Sequence, residues 1–207
     1  CTDDEFKEKF SDEKEVLEGA KFILMERFTE NADMVADLRH FFTKNALMYA
    51  SVVPGMEEQG AKFRDYFEQQ DKLSSIPSHR ALAMFRGRKE NVLQLDIDVE
   101  HDKALPHPSE AIIARHCAIE NQHRAADKWL AEVVRWTWTI KLKMRLELEL
   151  FSALHERAES AAIEVFARNM KDLLLAAPAG QRATIGLDPG LRTGVKIAVI
   201  DNTGRYI

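Results

Sequence analysis

From Gln122 to Ala176 the sequence contains no glycine and no proline. Rich in Ala, Leu, Glu, Lys and Arg, this stretch has only one economical reading, as long helix. Within it, Ile140-Lys-Leu-Lys-Met-Arg-Leu-Glu-Leu-Glu-Leu150 alternates apolar and charged residues strictly. Alternation taken alone signals a strand. Leu, Lys, Met, Arg and Glu are strong helix formers, however, and no breaker separates them from helical flanks, so helix is expected here too. Alternation spreads leucines around a cylinder, which predicts burial on several sides. Ala176-Ala-Pro-Ala-Gly180 ends the helices.

Upstream, Ser11 suits a helix N-cap, followed by Val16, Leu17, Ala20, Ile23, Leu24 and Phe28 at helical spacing. Asn31 suits a second cap, followed by Met34, Val35, Leu38, Phe41 and Phe42. Leu47 to Gly55 is β-rich and closes on Pro-Gly, and a short helix is expected over Gly60 to Phe67. Pro77 and Ser78 suit a helix start, and Val92 to Val99 alternates as a strand. A helix from Ser109 to Cys117 follows a loop with two prolines. The expected fold is therefore mainly α and multi-helical, with two short β elements near residues 47 to 53 and 92 to 99, then a β tail.

Net charge decides how such a chain could meet nucleic acid. At -5 over 207 residues there is no global basic field, so binding would need local basic patches. The densest is His79, Arg80, Arg86, Arg88 and Lys89 on the expected helix after Pro77, with Arg192 and Lys196 as further candidates in the tail. The competing account is a solvated helix face with internal ion pairs. No apolar run approaches the roughly 18 residues of a membrane span, so no membrane partner is expected. Two cysteines, Cys1 and Cys117, build no disulfide framework and suit a reducing compartment. A chain opening on Cys1 and stopping at Ile207 is expected to be a piece of a longer protein.

The tail carries the one isolated acid with a chemical reading. In Thr184-Ile-Gly-Leu-Asp188, Ile185 and Leu187 share one face, while Thr184, Gly186 and Asp188 share the other. Residues 189–194 form a turn, Val195, Ile197 and Val199 line a second strand, and Asp201-Asn-Thr-Gly204 turns again. Neither G-x-x-x-x-G-K-[ST] nor G-x-G-x-x-G is present. A strand-Asp-turn-strand unit remains. Actin-like ATPases and RNase H-like nucleases both use it to place a carboxylate near a divalent metal. Asp188 is thus the candidate catalytic and metal-binding residue, against the plainer role of a strand-end aspartate supporting a turn.

Two further constellations point to structure rather than chemistry. His101, His107, His116, Cys117 and His123 match no standard zinc spacing. Trp129 and Trp136 lie seven apart with Val133 between them, the pattern of a core stripe rather than a base-stacking set, and Trp138 follows. There is no G-x-S-x-G elbow, and Ser78 serves a helix start.

The blocks GAKFRDYF, IPSHRALAMFRGR, DKWLAEVVRWTW, FARNMKDLLLAAPAG and GLDPGLRTGVKIAVID together resemble the bacterial Tex (transcription accessory protein) family, in order and over essentially the whole chain. The resemblance implies residues 1–176 as a helical Tex-type region, 177–182 as a linker, and 183–207 as the first strands of an incomplete YqgF-type, RNase H-like α/β domain. It implies a cytoplasmic protein whose partners are RNA or DNA, with RNA polymerase or ribosome-associated machinery beside them. This chain would lack the family's C-terminal OB-fold RNA-binding domain. Asp188 matches the first-strand aspartate of that nuclease-like pattern, whose other acids would lie beyond Ile207. No cofactor is expected in this chain; Mg²⁺ would enter only with carboxylates from outside it, so the chain alone is expected to be inactive. The expected function is a nucleic-acid-binding transcription scaffold, with a metal-dependent RNase H-like nuclease or resolvase and an actin-fold ATPase as alternatives.

Overall fold

The computed structural model describes residues 13–178, 180–190 and 194–207. It is mainly α-helical with short antiparallel strands and divides into two compact units, residues up to Ala162 and Ile163–Ile207. Ser11 and Arg192 lie outside the described residues.

Helices α1 (Glu13–Thr29) and α2 (Ala32–Asn45) open the first unit. The Asn31 side chain accepts from the Met34 backbone N–H at 3.0 Å, satisfying a first-turn donor, as the cap pattern predicts. Met34, Leu38 and Phe42, each four residues apart, form the buried face of α2.

Strands β1 (Ala46–Val52), β2 (Glu68–Lys72) and β3 (Leu93–Val99) make one antiparallel sheet in the order β2-β1-β3. Ala46, Met48 and Ala50 pair with Val99, Ile97 and Leu95 respectively, and all six are buried. That shared face is why β3 alternates in sequence. Strand β2 adds a third strand to the two expected β elements: Glu-Gln-Gln-Asp-Lys has no apolar residue, and it is a strand because its backbone pairs with β1. Its charged side chains suit a sheet edge.

A 3₁₀ helix, Ala61–Tyr66, buries Phe63 and begins after Gly60. A Cβ on Gly60 would lie 2.2 Å from Val92 Cγ1 and 2.8 Å from the Met56 carbonyl oxygen. Val92 is buried and β-branched, and the carbonyl is backbone, so neither yields cheaply. Gly60→Ala is expected to destabilise the chain by about 1–3 kcal/mol in urea unfolding; a neutral result would show that this turn relaxes freely.

Helix α3 (Ser78–Lys89) begins after Pro77, and α4 (Pro108–His116) carries a capping box formed by His107 and Glu110. Helix α5 (Asp127–Trp136) leads through a π-helical turn, Thr137–Leu142, into α6 (Lys143–Leu174). The hydroxyls of Thr137 and Thr139 donate to the carbonyls of Val133 and Arg135, four residues back. Such back-bonding competes with the backbone ladder where the helix widens.

The alternating segment is helical, but its burial differs from expectation. Leu142, Leu146 and Leu150 are buried, whereas Ile140, Met144 and Leu148 are 49%, 65% and 57% exposed. Alternation on this helix is two i,i+4 rows on opposite faces, of which only one meets the core. Among the described residues, no helix is long and apolar enough to cross a membrane.

In the second unit, β4 (Thr184–Gly190) and β5 (Gly194–Ile200) pair antiparallel, with Asp188 opposite Lys196. Asp201 Oδ1 accepts from the backbone N–H groups of Thr203 and Arg205 and from the Thr203 hydroxyl, holding the next turn. Ile200 and Tyr206 then form an isolated antiparallel bridge. The hairpin's apolar residues Ile185, Leu187, Val195 and Ile197 are more than half exposed.

Candidate nucleic-acid interface

Helix α3 presents its cations unequally. His79 and Arg86 are seven residues apart, hence on one face, and Lys89 lies one turn beyond Arg86. All three are exposed, and their side chains have no hydrogen-bond or ion-pair partner among the described residues. Arg80 instead binds Asp71 on β2 at 3.1 Å. The Arg88 guanidinium lies 4.8 Å from the centroid of the Phe151 ring. Of the five side chains expected to meet phosphates, then, three form a stripe without side-chain partners and two already have one. The negative end of the helix favours Arg86, Arg88 and Lys89 in the last turn, which partly explains the cluster without any ligand.

Asp188 lies on β4 with its side chain 78% exposed, and its ionic partner is Lys196 at 3.9 Å. A lone solvated carboxylate beside an ammonium is not an assembled two-metal site. Lys196 is 83% exposed and keeps most of its surface for another anion.

The histidines gather in a way their spacing does not suggest, around an aspartate that the sequence does not single out. Ligand atoms of Asp98, His101 and His107 lie within 4.8 Å of one another. His107 Nδ1 accepts from the Ser109 backbone N–H at 3.1 Å, so the ring proton sits on Nε2 and faces Asp98 Oδ1 at 2.9 Å. Lys143 Nζ holds the other carboxylate oxygen at 3.2 Å. A cation at this point would meet an N–H and an ammonium where it needs lone pairs. The cluster is therefore a helix cap tied to a strand end.

The surrounding charges agree with that role. Burial would raise the Asp98 pKa, but the His107 hydrogen bond, the Val99 backbone N–H and Lys143 prevail and hold it at about 2. Next to it, an open pocket of about 240 Å³ is lined by acids including Asp96, Asp98 and Glu100. Burial pushes the Tyr49 hydroxyl up, with those three acids adding to the shift. Burial, then the charge and hydrogen bond of Asp96, raise Glu147. The signal available in sequence was the alternation of Leu93–Val99, which sets Asp96 and Asp98 on one face.

The tryptophans serve packing. Trp138 is 2% exposed, and Val133 between Trp129 and Trp136 is fully buried. Trp136 receives the Lys21 ammonium 4.1 Å from its ring centroid. Asp127 is likewise committed, accepting from the backbone N–H groups of Gln122 and Arg124.

Fold and site together define a mainly helical protein that offers cationic faces to solvent and no assembled catalytic set among its described residues. Residues 2–166 match the Tex central region-like family, and the chain belongs to that family. It is 54% identical over 201 residues to Protein YhgF of Escherichia coli (strain K12), covering 95% of this chain and 26% of the relative. It is 46% identical over 203 residues to Transcriptional accessory protein Tex of Neisseria gonorrhoeae, covering 97% and 26%. A more distant relative, S1 RNA-binding domain-containing protein 1 of Pongo abelii, is 26% identical over 91% of this chain and 20% of its own length. The chain thus spans about a quarter of the length of the bacterial relatives it matches.

Proposed function

We propose that this chain is part of a transcription accessory protein that binds RNA or DNA, and that His79, Arg86 and Lys89 on α3 contact backbone phosphates. The observation that carries the proposal is that these three side chains share one exposed face and are unpaired among the described residues. The names of two relatives, a transcriptional accessory protein and an S1 RNA-binding protein, support the class of partner. RNA polymerase or ribosome-associated machinery, and a cytoplasmic location, belong to the same proposal.

On this reading residues 183–207 open an RNase H-like unit, with Lys196 a further phosphate contact. Asp188 would hold Mg²⁺ only alongside carboxylates from elsewhere in a longer protein. The scaffold reading is favoured over the nuclease and the ATPase because α3 offers several basic side chains to a phosphate chain, while of the tail's two aspartates Asp201 holds a turn and only Asp188 is left for a metal.

The test is Arg86→Glu with Lys89→Glu, read by fluorescence anisotropy on labelled single-stranded RNA and DNA across a salt series. Affinity should fall, and the slope of log K against log salt should shrink by about 1.4, roughly 0.7 for each phosphate no longer neutralised. If affinity and slope are both unchanged in a variant with wild-type circular dichroism, α3 is not the interface.

A further inference from the structure

An open groove of about 520 Å³ lies between the loop around Leu105 and one face of α5. The helix side consists of Lys128, Ala131, Glu132 and Arg135, spaced i, i+3, i+4 and i+7. Lys103, Leu105 and Pro106 form the loop side, and Glu110 joins the lining. None of the α3 cations borders it, so the groove stands apart from the proposed nucleic-acid face.

Its chemistry is specific in three respects. First, the side chains of Lys103, Lys128 and Arg135 have no hydrogen-bond or ion-pair partner among the described residues. Second, each glutamate is held through one oxygen: Glu110 Oε1 accepts from the His107 backbone N–H, and Glu132 Oε1 from Lys21 Nζ. The second oxygen of each meets no donor among the described residues and can accept one from a ligand. Third, the loop side beyond Lys103 is apolar, with Leu105 64% exposed beside Pro106.

A nucleic-acid strand suits this lining poorly. Its phosphodiester backbone carries no N–H to offer the two carboxylates, and its bases would find no aromatic ring in the groove to stack on. An extended peptide supplies both signs. Its acidic side chains reach the three cations, its backbone N–H groups reach the glutamates, and one aliphatic side chain covers Leu105 and Pro106. We infer that this groove docks an extended acidic peptide segment of another protein, anchored by a single aliphatic residue.

The probe is a fluorescein-labelled nonapeptide, Gly-Ser-Asp-Glu-Leu-Glu-Asp-Ser-Gly, titrated with this chain by anisotropy. Saturable binding is expected, weakened about tenfold by Lys128→Glu with Arg135→Glu, two exposed changes that should leave folding intact. The same peptide with glycine in place of leucine should bind more weakly. A peptide with lysines replacing its four acids should prefer the double variant to the wild type. The inference is overturned if the acidic peptide does not saturate, if the folded double variant binds it equally, or if the lysine peptide shows no such preference. It is overturned too if oligo-dT displaces the peptide from the wild type and is itself weakened by the two changes, since the groove would then belong to nucleic acid. Failure of the α3 variants to alter nucleic-acid binding would leave it untouched.

Discussion

Replacing Trp138 with alanine is expected to remove about 3–5 kcal/mol of unfolding free energy. Trp138 is 2% exposed and sits where three elements converge. Its ring lies 5.2 Å from the centroid of Phe42 on α2 and stacks at 4.9 Å on His107, the cap of α4. Truncation would therefore leave a void walled by an aromatic ring, an imidazole already tied at both nitrogens, and the π-helical turn itself. Walls held by their own bonds cannot collapse inward, so the cavity cost adds to the lost transfer energy. Alanine's better helix propensity returns under 1 kcal/mol. Urea unfolding followed by circular dichroism measures the loss, and Trp138→Phe should recover a large part of it by keeping an aromatic face. A loss below 1 kcal/mol in the alanine variant would mean that Trp138 does not hold these elements together.

That junction also shows how far the sequence could be read. Of the two strands with apolar faces, β3 was visible because burial on one side writes alternation into the chain, and β1 because its run is β-rich and closes on a Pro-Gly turn. Strand β2 left no such mark, since an edge strand made of Glu, Gln, Asp and Lys owes its state to the backbone of its neighbour. The consequence reached the candidate site. In the sequence Arg80 and Arg88 look like free cations; in the fold β2 brings Asp71 against the first, and α6 brings Phe151 beneath the second. Clustering of charge is local and legible; whether a charge is already spent depends on partners distant in sequence. The alternation of Ile140–Leu150 misled for a related reason. Composition settled that it was helix, but only the position of the core decides which of two i,i+4 rows is covered. The Lys128-Ala131-Glu132-Arg135 face of the groove was present as spacing, and the loop opposite it was not.

Asp98 gives the second large effect, and it carries a pH signature. The carboxylate is 22% exposed and binds His107 of the α4 cap and Lys143 at the start of α6, so one side chain ties β3 to two helices. Its folded pKa is about 2 against an ordinary 3.8. A depressed folded pKa means that the unfolded chain takes up the proton first as pH falls. The stabilisation is therefore complete above about pH 4 and disappears as pH drops through about 2. Its size follows from the same difference, about 2 kcal/mol. Asp98→Asn should accordingly cost about 2 kcal/mol at pH 7, because the amide cannot offer the negative charge that Lys143 and the His107 N–H face. Asp96 and Glu147 also face Lys143, and their partial compensation limits the loss rather than cancelling it. Urea midpoints measured at pH 7, 4.5 and 3 should show the gap between wild type and variant holding down to about pH 4 and narrowing below it. A gap that stays constant at all three would assign the loss to altered packing instead of the charge. No gap at pH 7 would mean that the cap, the strand end and α6 are held together by their apolar contacts alone, with Trp138 beneath His107 as the dominant tie.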